Sequence, residues 1–333
     1  MTSHESRIVT GIRPTGELTI ANYVGAMKPV VEMQDNFEGS INLFVADLHG
    51  LTDQEPDVVN TNRLDTVRSF LAAGADPERT NIYLQSQVEE PTVVLANYMD
   101  RHTTISELLR NPTLKDKLKN DAKAESINVA LGRYPILMAA DIFVQDADKV
   151  PVGEDQYPHI EFARRLARRF NNEYGKGESI IVEPEVVAVE ALRILALNGD
   201  GKMSKSNPRG AIFLKDTPDD VESKVKRAKT DAPGEMNDSL ESHFTLCRHL
   251  CRDEQQSEQL ERFKAAHLEG KPVMADFKKF MAERVNVYLD EFQTNYNSIT
   301  PTDVQNVITE GGQKAHDQAS SVVSRAKRAM GIL

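Results

Sequence analysis

Hydrophobic and polar positions in the first half of the chain switch between two periods. Short runs rich in β-branched or aromatic residues, Ile8–Ile12, Ile41–Ala46 and Asn81–Gln85, read as strands. The longer stretches between them, Asn22–Met33 and Pro56–Ala73, carry apolar residues at helical spacing. The second has Pro56 near its start and Gly74 placed to cap its end. Val150–Val152 and Leu192–Leu197 again read as strands, with Gln156–Asn171 a helix between them. Such alternation predicts an α/β fold, a doubly wound parallel sheet with helices on both faces. A mostly helical insertion, about 88–145, separates the two halves of that pattern.

After Pro208 the texture changes. Thr217-Pro218-Asp219-Asp220 is a helix start, with a capping hydroxyl, proline in the first turn and acids near the positive end of the dipole. Helical periodicity then runs almost to the end, as in Phe277–Phe292 and Gly312–Met330, and Pro301 is placed to open another helix. We therefore expect a catalytic α/β domain over 1–206 and a C-terminal all-helical domain over 207–333.

Composition narrows the setting. With 40% hydrophobic residues in 333, the chain has the material for a large core. No apolar run reaches the ~18 residues that span a bilayer, and the polar start carries no secretory pattern. The only cysteines, Cys247 and Cys251, are too few for a tetrahedral metal site, so a reduced, cytoplasmic setting is expected. A formal net charge of −11 argues against indiscriminate nucleic-acid binding. A specific RNA partner would have to use local patches. Arg164, Arg165, Arg168 and Arg169 form one, and Lys224, Lys226, Arg227 and Lys229 another; each also fits a solvated helix face.

Two segments carry the chemistry. Gly201-Lys202-Met203-Ser204-Lys205-Ser206-Asn207-Pro208 is a polar loop with two lysines three apart and glycines at its start. Lysines on a mobile loop suit a polyphosphate whose charge must be met during reaction and then released. Near the N-terminus, a strand runs into Ile12-Arg13-Pro14-Thr15-Gly16-Glu17-Leu18-Thr19-Ile20-Ala21-Asn22-Tyr23 and then a helix. Strand, turn and helix N-terminus make a ready anion site. Neither GxGxxG nor GxxxxGK[ST] is present, so neither a dinucleotide fingerprint nor a P-loop is supported.

Together these segments resemble the two signatures of the class I aminoacyl-tRNA synthetases, and the form Pro-Thr-Gly-x-Leu-Thr-Ile-x-Asn-Tyr resembles the tryptophanyl version. Phe44–Thr52, Tyr134–Ile142 and Val150–Gln156 resemble further segments of that family, as do Glu310–Ala315 and Arg328–Gly331. The resemblance thus covers nearly the whole chain. It implies a Rossmann-like catalytic domain, a helical anticodon-side domain and a homodimer. It also implies ATP as substrate, Mg²⁺ on its phosphates without a protein ligand, and L-tryptophan and tRNA(Trp) as partners.

By the same resemblance Lys202, Lys205, Ser204 and Ser206, with Thr19 and Asn22, would serve catalysis. Arg13, Pro14, Thr15, Ala21, Gly153, Glu154, Asp155, Ile194 and Met203 would line the ATP site, and Lys115 and Lys117 fall near the family's pyrophosphate lysines. Tyr134, Gln156 and His49 would hold the amino acid. Asp141 stands in an otherwise apolar helix, where an unpaired carboxylate is costly. In the family it would accept the indole N–H, the only donor an indole has, and Met138, three residues earlier, would line the same slot. Pairing of Asp141 with a buried cation or a cap is the structural alternative.

Two positions depart from the family. Ala21 stands where glycine is usual, against adenine, and Leu195-Ala196 replaces Met-Ser before the lysine loop. Three rival readings remain at this level. The tyrosine-specific sister enzyme shares both signatures. A non-catalytic paralogue could bind RNA or tryptophan. A free nucleotidyltransferase could share the N-terminal signature, although a long helical second domain fits it poorly.

Overall fold

Period-two patterning in the strands sorts the core into two layers. Leu43 and Val45 of β2 (Ser40–Val45) and Ile82 and Leu84 of β3 (Thr80–Leu84) face one layer, while Phe44 and Tyr83 between them face the other. In this computed structural model, which describes residues 5–14, 16–52, 54–111, 128–189 and 192–333, those strands belong to one parallel sheet. With β1 (Arg7–Ile12), β4 (Lys149–Val152) and β5 (Glu185–Ala188) its order is β3-β2-β1-β4-β5. The chain moves outward from β1 to β3, then returns to β4 on the other side of β1. That reversal opens a crevice between β1 and β4, where open α/β sheets bind ligands.

The helices follow the sequence pattern closely. A turn at Ile20–Asn22 and a π-helical stretch at Tyr23–Met27 lead into α1 (Lys28–Asn36), and α2 (Pro56–Ala72) follows β2. The insertion supplies α3 (Glu89–Asp100) and α4 (Val129–Phe143), and α5 (Tyr157–Tyr174) connects β4 to β5. Beyond the sheet come α6 (Pro218–Lys226), α7 (Asp238–Leu250), α8 (Glu254–Leu268), α9 (Met274–Ser298) and α10 (Pro301–Met330). Thr217 and Thr300 each close a capping box, with Asp220 and Asp303 three residues on, and a proline follows each threonine. Among the described residues no helix is long and apolar enough to cross a membrane.

One expected strand is not formed. Leu192–Leu197 contributes no strand to the sheet; the fifth strand is the shorter Glu185–Ala188, paired with β4. The apolar run is buried for another reason. Ile194, Ala196 and Leu197 are almost wholly inaccessible, and their backbone pairs with the lysine loop and its flanks. Met203 N donates to Ile194 O at 2.9 Å, Ala196 N to Gly201 O at 2.9 Å, and Leu197 N to Gly210 O at 2.7 Å.

The last helix joins the two layers. Val304 and Ile308 of α10 sit in the core shared with α6, α7 and α9, while Ala315, Ala319, Val322 and Ala326 sit in the core with α3, α4 and α5. Between them the helix passes β3, the edge of the sheet. A Cβ on Gly311 would lie 1.9 Å from the Ile82 carbonyl oxygen, and one on Gly312 2.3 Å from Gln87 Nε2. Only glycines allow so close a crossing, which covers an edge strand that would otherwise be open to pairing. Arg325 anchors the far end, with Nε donating to Ile180 O at 2.8 Å and the guanidinium paired to Asp146.

Candidate active site

A cleft of about 450 Å³ opens at the β1–β4 switch point. Its floor comes from strand ends, including Gly11, Phe44 and Val152, and its wall from α4. A Cβ on Gly11 would stand 2.5 Å from Phe44 Cζ, so the glycine is what lets the Phe44 ring lie across β1 and shape the floor. Of the residues expected to hold the amino acid, His49, Tyr134, Met138, Asp141 and Gln156 all line this cleft, and Arg13 borders it.

Asp141 is only 3% exposed, and both of its oxygens have partners. Gln85 Nε2 donates to both of its oxygens, 2.8 Å each, and His49 Nε2 lies 2.9 Å from Oδ2. Because a carboxylate only accepts, the His49 proton sits on Nε2. Gln85 Oε1 in turn accepts from the His49 backbone N–H at 3.1 Å. The turn that carries His49, Asp47–Gly50, is pinned from below. Asp47, also buried, accepts from Ser86 N at 2.9 Å and Ser86 Oγ at 2.6 Å, with Arg63 3.7 Å away. Among the described residues the partners of Asp141 are an amide and an imidazole, not a buried lysine or arginine, and the carboxylate lines the cleft wall as well.

Tyr134 is held in a ring of three. Its hydroxyl donates to Asn111 Oδ1 at 3.1 Å, Asn111 Nδ2 donates to His159 Nδ1 at 3.0 Å, and His159 Nε2 lies 3.1 Å from the Tyr134 oxygen. This closes only if His159 is neutral with its proton on Nε2. Burial accordingly pushes the His159 pKa down, against a smaller opposing pull from Asp155. Tyr83, buried behind the cleft, has its pKa raised well above the usual value by burial and then by the Asp141 charge.

At the other end, the lysine loop folds over the first signature. Lys205 Nζ comes within 3.2 Å of where a Cβ on Gly16 would be, so the two signatures meet in space. Ser204 Oγ and Ser206 Oγ are 2.9 Å apart, while Met203 is buried and anchors the loop in the core. Gly199 and Gly201 take φ of 82° and 73°, which admits a tight turn before Lys202. Thr19 and Asn22 cap their own helix: Asn22 Oδ1 accepts from Thr19 N and from Thr19 Oγ1, each at 2.9 Å. Ala21 is buried in that turn, and Ile194 lies in the same core. Gly153, Glu154 and Asp155 form the turn between β4 and α5, next to the cleft. Thr15, Lys115 and Lys117 lie outside the described residues.

The basic clusters resolve differently. All four arginines on α5 face acids: Arg164 pairs with Glu161, Arg168 with Glu183, and Arg165 and Arg169 both reach Glu107. On α6, Lys224 pairs with Asp216, whereas Lys226 and Arg227 are exposed. Cys247 and Cys251 are free thiols, the first buried. Among the described residues no group of His, Cys, Asp or Glu is arranged to hold a metal ion.

A doubly wound sheet, an apolar cleft with a buried carboxylate at its switch point, and a lysine loop lying over a strand–turn–helix define an α/β enzyme that binds an anionic nucleotide beside an organic substrate. The family model described as tRNA synthetases class I (W and Y) matches residues 1–293. The chain belongs to that family. A tryptophan–tRNA ligase of Helicobacter pylori is 36% identical over 99% of this chain and 100% of its own length. The tryptophanyl-tRNA synthetase of Campylobacter jejuni complexed with ADP and tryptophan superposes with a TM-score of 0.80 at 29% identity, covering 98% of this chain and 99% of that one. The Mycoplasma pneumoniae enzyme does so at 0.83 and 28%, covering 98% of each.

Sequence reading had missed Gln85, Asn111, His159 and Gly11. Gln85 and Asn111 find their partners 56 and 48 residues away, so nothing local marks them. Gly11 did carry a signal, since a glycine inside a strand points to a close approach.

Proposed function

We propose that this chain is a tryptophan–tRNA ligase. It activates L-tryptophan with ATP, releasing pyrophosphate, and transfers tryptophan from the adenylate to tRNA(Trp). The observation that carries the specificity is the buried Asp141 carboxylate on the wall of an otherwise largely apolar cleft. An indole N–H meets an acceptor there. A phenol placed with its oxygen at that point can donate too. The sister reading with tyrosine is therefore the outcome to exclude.

The reaction needs no protein base. The substrate carboxylate is ionised at neutral pH; its oxygen forms a bond to the α-phosphorus as the bond to pyrophosphate breaks, and the electron pair leaves with pyrophosphate. Catalysis is then alignment and charge stabilisation. Tyr134 and Gln156 hold the ammonium and carboxylate groups, the first from its ring with Asn111 and His159. Gly153, Glu154 and Asp155 face the ribose, and Arg13, Pro14, Thr15, Ala21, Ile194 and Met203 border the nucleotide. Lys202 and Lys205 meet the phosphates with Ser204 and Ser206, and Thr19 and Asn22 contact the phosphate or sugar side of the nucleotide. What supports this arrangement is the approach of Lys205 to Gly16 in the first signature. Lys115 and Lys117 add charge near pyrophosphate. Mg²⁺ arrives on phosphate oxygens as part of the nucleotide substrate.

Residues 1–206 act as the catalytic unit and 207–333 as the anticodon-side unit of a cytoplasmic homodimer. The test is charging: with ATP, Mg²⁺ and tryptophan, the protein should load tRNA(Trp) and leave tRNA(Tyr) uncharged with either amino acid. Tyrosine loaded onto tRNA(Tyr) would transfer the assignment to the sister enzyme. No charging and no adenylate would make the chain a binding paralogue.

A further inference from the structure

Gln85 is wholly buried at the end of β3, and its amide spends both ends on the specificity apparatus. Nε2 stands 2.8 Å from each oxygen of Asp141, and Oε1 accepts the His49 backbone N–H at 3.1 Å. Three elements far apart in sequence, the β3 end, the Asp47–Gly50 turn and α4, are tied at one side chain. We infer that Gln85 is a positioning residue for amino-acid selection: it presents the Asp141 carboxylate to the indole N–H.

The physical need is clear from the surroundings. A carboxylate has two oxygens and a soft terminal torsion. On an isolated apolar helix face it could turn and offer either edge. A donor equidistant from both oxygens fixes the plane of the group. Among the described residues Oδ1 accepts from Gln85 alone, whereas Oδ2 also has His49. An acceptor with spare capacity therefore stays in a fixed direction. Gln85 also holds the backbone of His49, so the imidazole beside the carboxylate is set by the same amide. Loss of the amide would leave a buried carboxylate with one fewer donor and free to reorient.

This inference rests on the tryptophan reading above, and its test separates the two. Steady-state pyrophosphate exchange is measured with tryptophan and with β-(benzothiophen-3-yl)alanine, in which sulfur replaces the indole N–H. The wild-type protein should prefer tryptophan; if it activates neither compound, the functional reading fails before Gln85 is questioned. In Gln85→Met the preference for tryptophan over the analogue should fall about tenfold through a raised tryptophan KM, with the ATP KM within about twofold of wild type. In an Asp141→Ala background the same substitution should change neither ratio, because Gln85 acts through Asp141. A purely structural role would raise both amino-acid KM values together, or lower stability alone, and either result overturns the inference. Gln85→Asn, whose amide falls one methylene short, gives the same reading if the methionine variant does not fold. If neither folds, the Gln85 side-chain amide NMR signal of the wild-type protein decides. It should shift with tryptophan and not with the analogue, and an equal shift with both overturns the proposal.

Discussion

The amino-acid cleft and the lysine loop are built in opposite ways. At the amino-acid end each polar group is tied to another: the buried Asp141 to Gln85 and His49, and the half-buried Tyr134 to Asn111 and His159. On the lysine loop Lys202 and Lys205 are exposed between glycines and Pro208, and Ser204 Oγ and Ser206 Oγ lie 2.9 Å from each other. Selection of a substrate by one hydrogen bond demands an acceptor that does not move. Stabilising charge that develops and then departs demands cations that can let go. On the proposed reading, tied polar groups and exposed charges divide the reaction between them.

The largest effect should come from the lysine loop. Lys205→Ala should lower kcat about 10²–10³-fold with the tryptophan KM nearly unchanged, as measured by pyrophosphate exchange. A loss confined to tryptophan KM would break the division of labour.

Next comes the support beneath that loop. Ser242 Oγ on α7 accepts from Leu195 N at 2.8 Å, and the neighbouring His243 is buried, which pushes its pKa down to about 4, with Lys278 adding to the shift. A depressed folded pKa means the unfolded chain binds the proton first. Stability is therefore complete above about pH 6.5 and falls as pH drops toward 4, by up to about 3 kcal/mol from this group. Urea unfolding of His243→Leu should show a flatter decline from pH 6.5 to 4.5 than wild type. Parallel curves would remove His243 from the account.

Two smaller effects probe how finely each region is shaped. Gly11→Ala would drive a methyl into the Phe44 ring, 2.5 Å away, and should raise the tryptophan KM about tenfold while sparing ATP. Ala21→Gly restores the family residue in the turn beside the nucleotide and should lower the ATP KM, at most about fivefold, with no effect on tryptophan. An unchanged ATP KM would mean that the Ala21 methyl does not meet the nucleotide.

Legibility in the sequence followed the same division. The lysine loop and the Pro14–Asn22 turn could be read because their chemistry is local: consecutive residues build the site. Asp141 could be read because a carboxylate in an apolar helix stands out. Its partner Gln85 could not, since the contact spans 56 residues and glutamine at a strand end is unremarkable by composition. The sheet was legible except at its edge. Leu192–Leu197 looked like a strand because it is apolar, but it is buried by pairing with the lysine loop; β5 has only four residues, two of them exposed, and so little pattern to read. The pair Gly311-Gly312 shows a helix signal hiding a tertiary one, because only the crossing over β3 explains two glycines in mid-helix.

The central claim is that Asp141 selects the amino acid and leaves the nucleotide alone. Asp141→Ala, assayed by pyrophosphate exchange with tryptophan and ATP varied separately, tests it directly. The tryptophan KM should rise about 10- to 100-fold, with the ATP KM within about twofold of wild type. Equal rises in the two would show that Asp141 only holds the structure together.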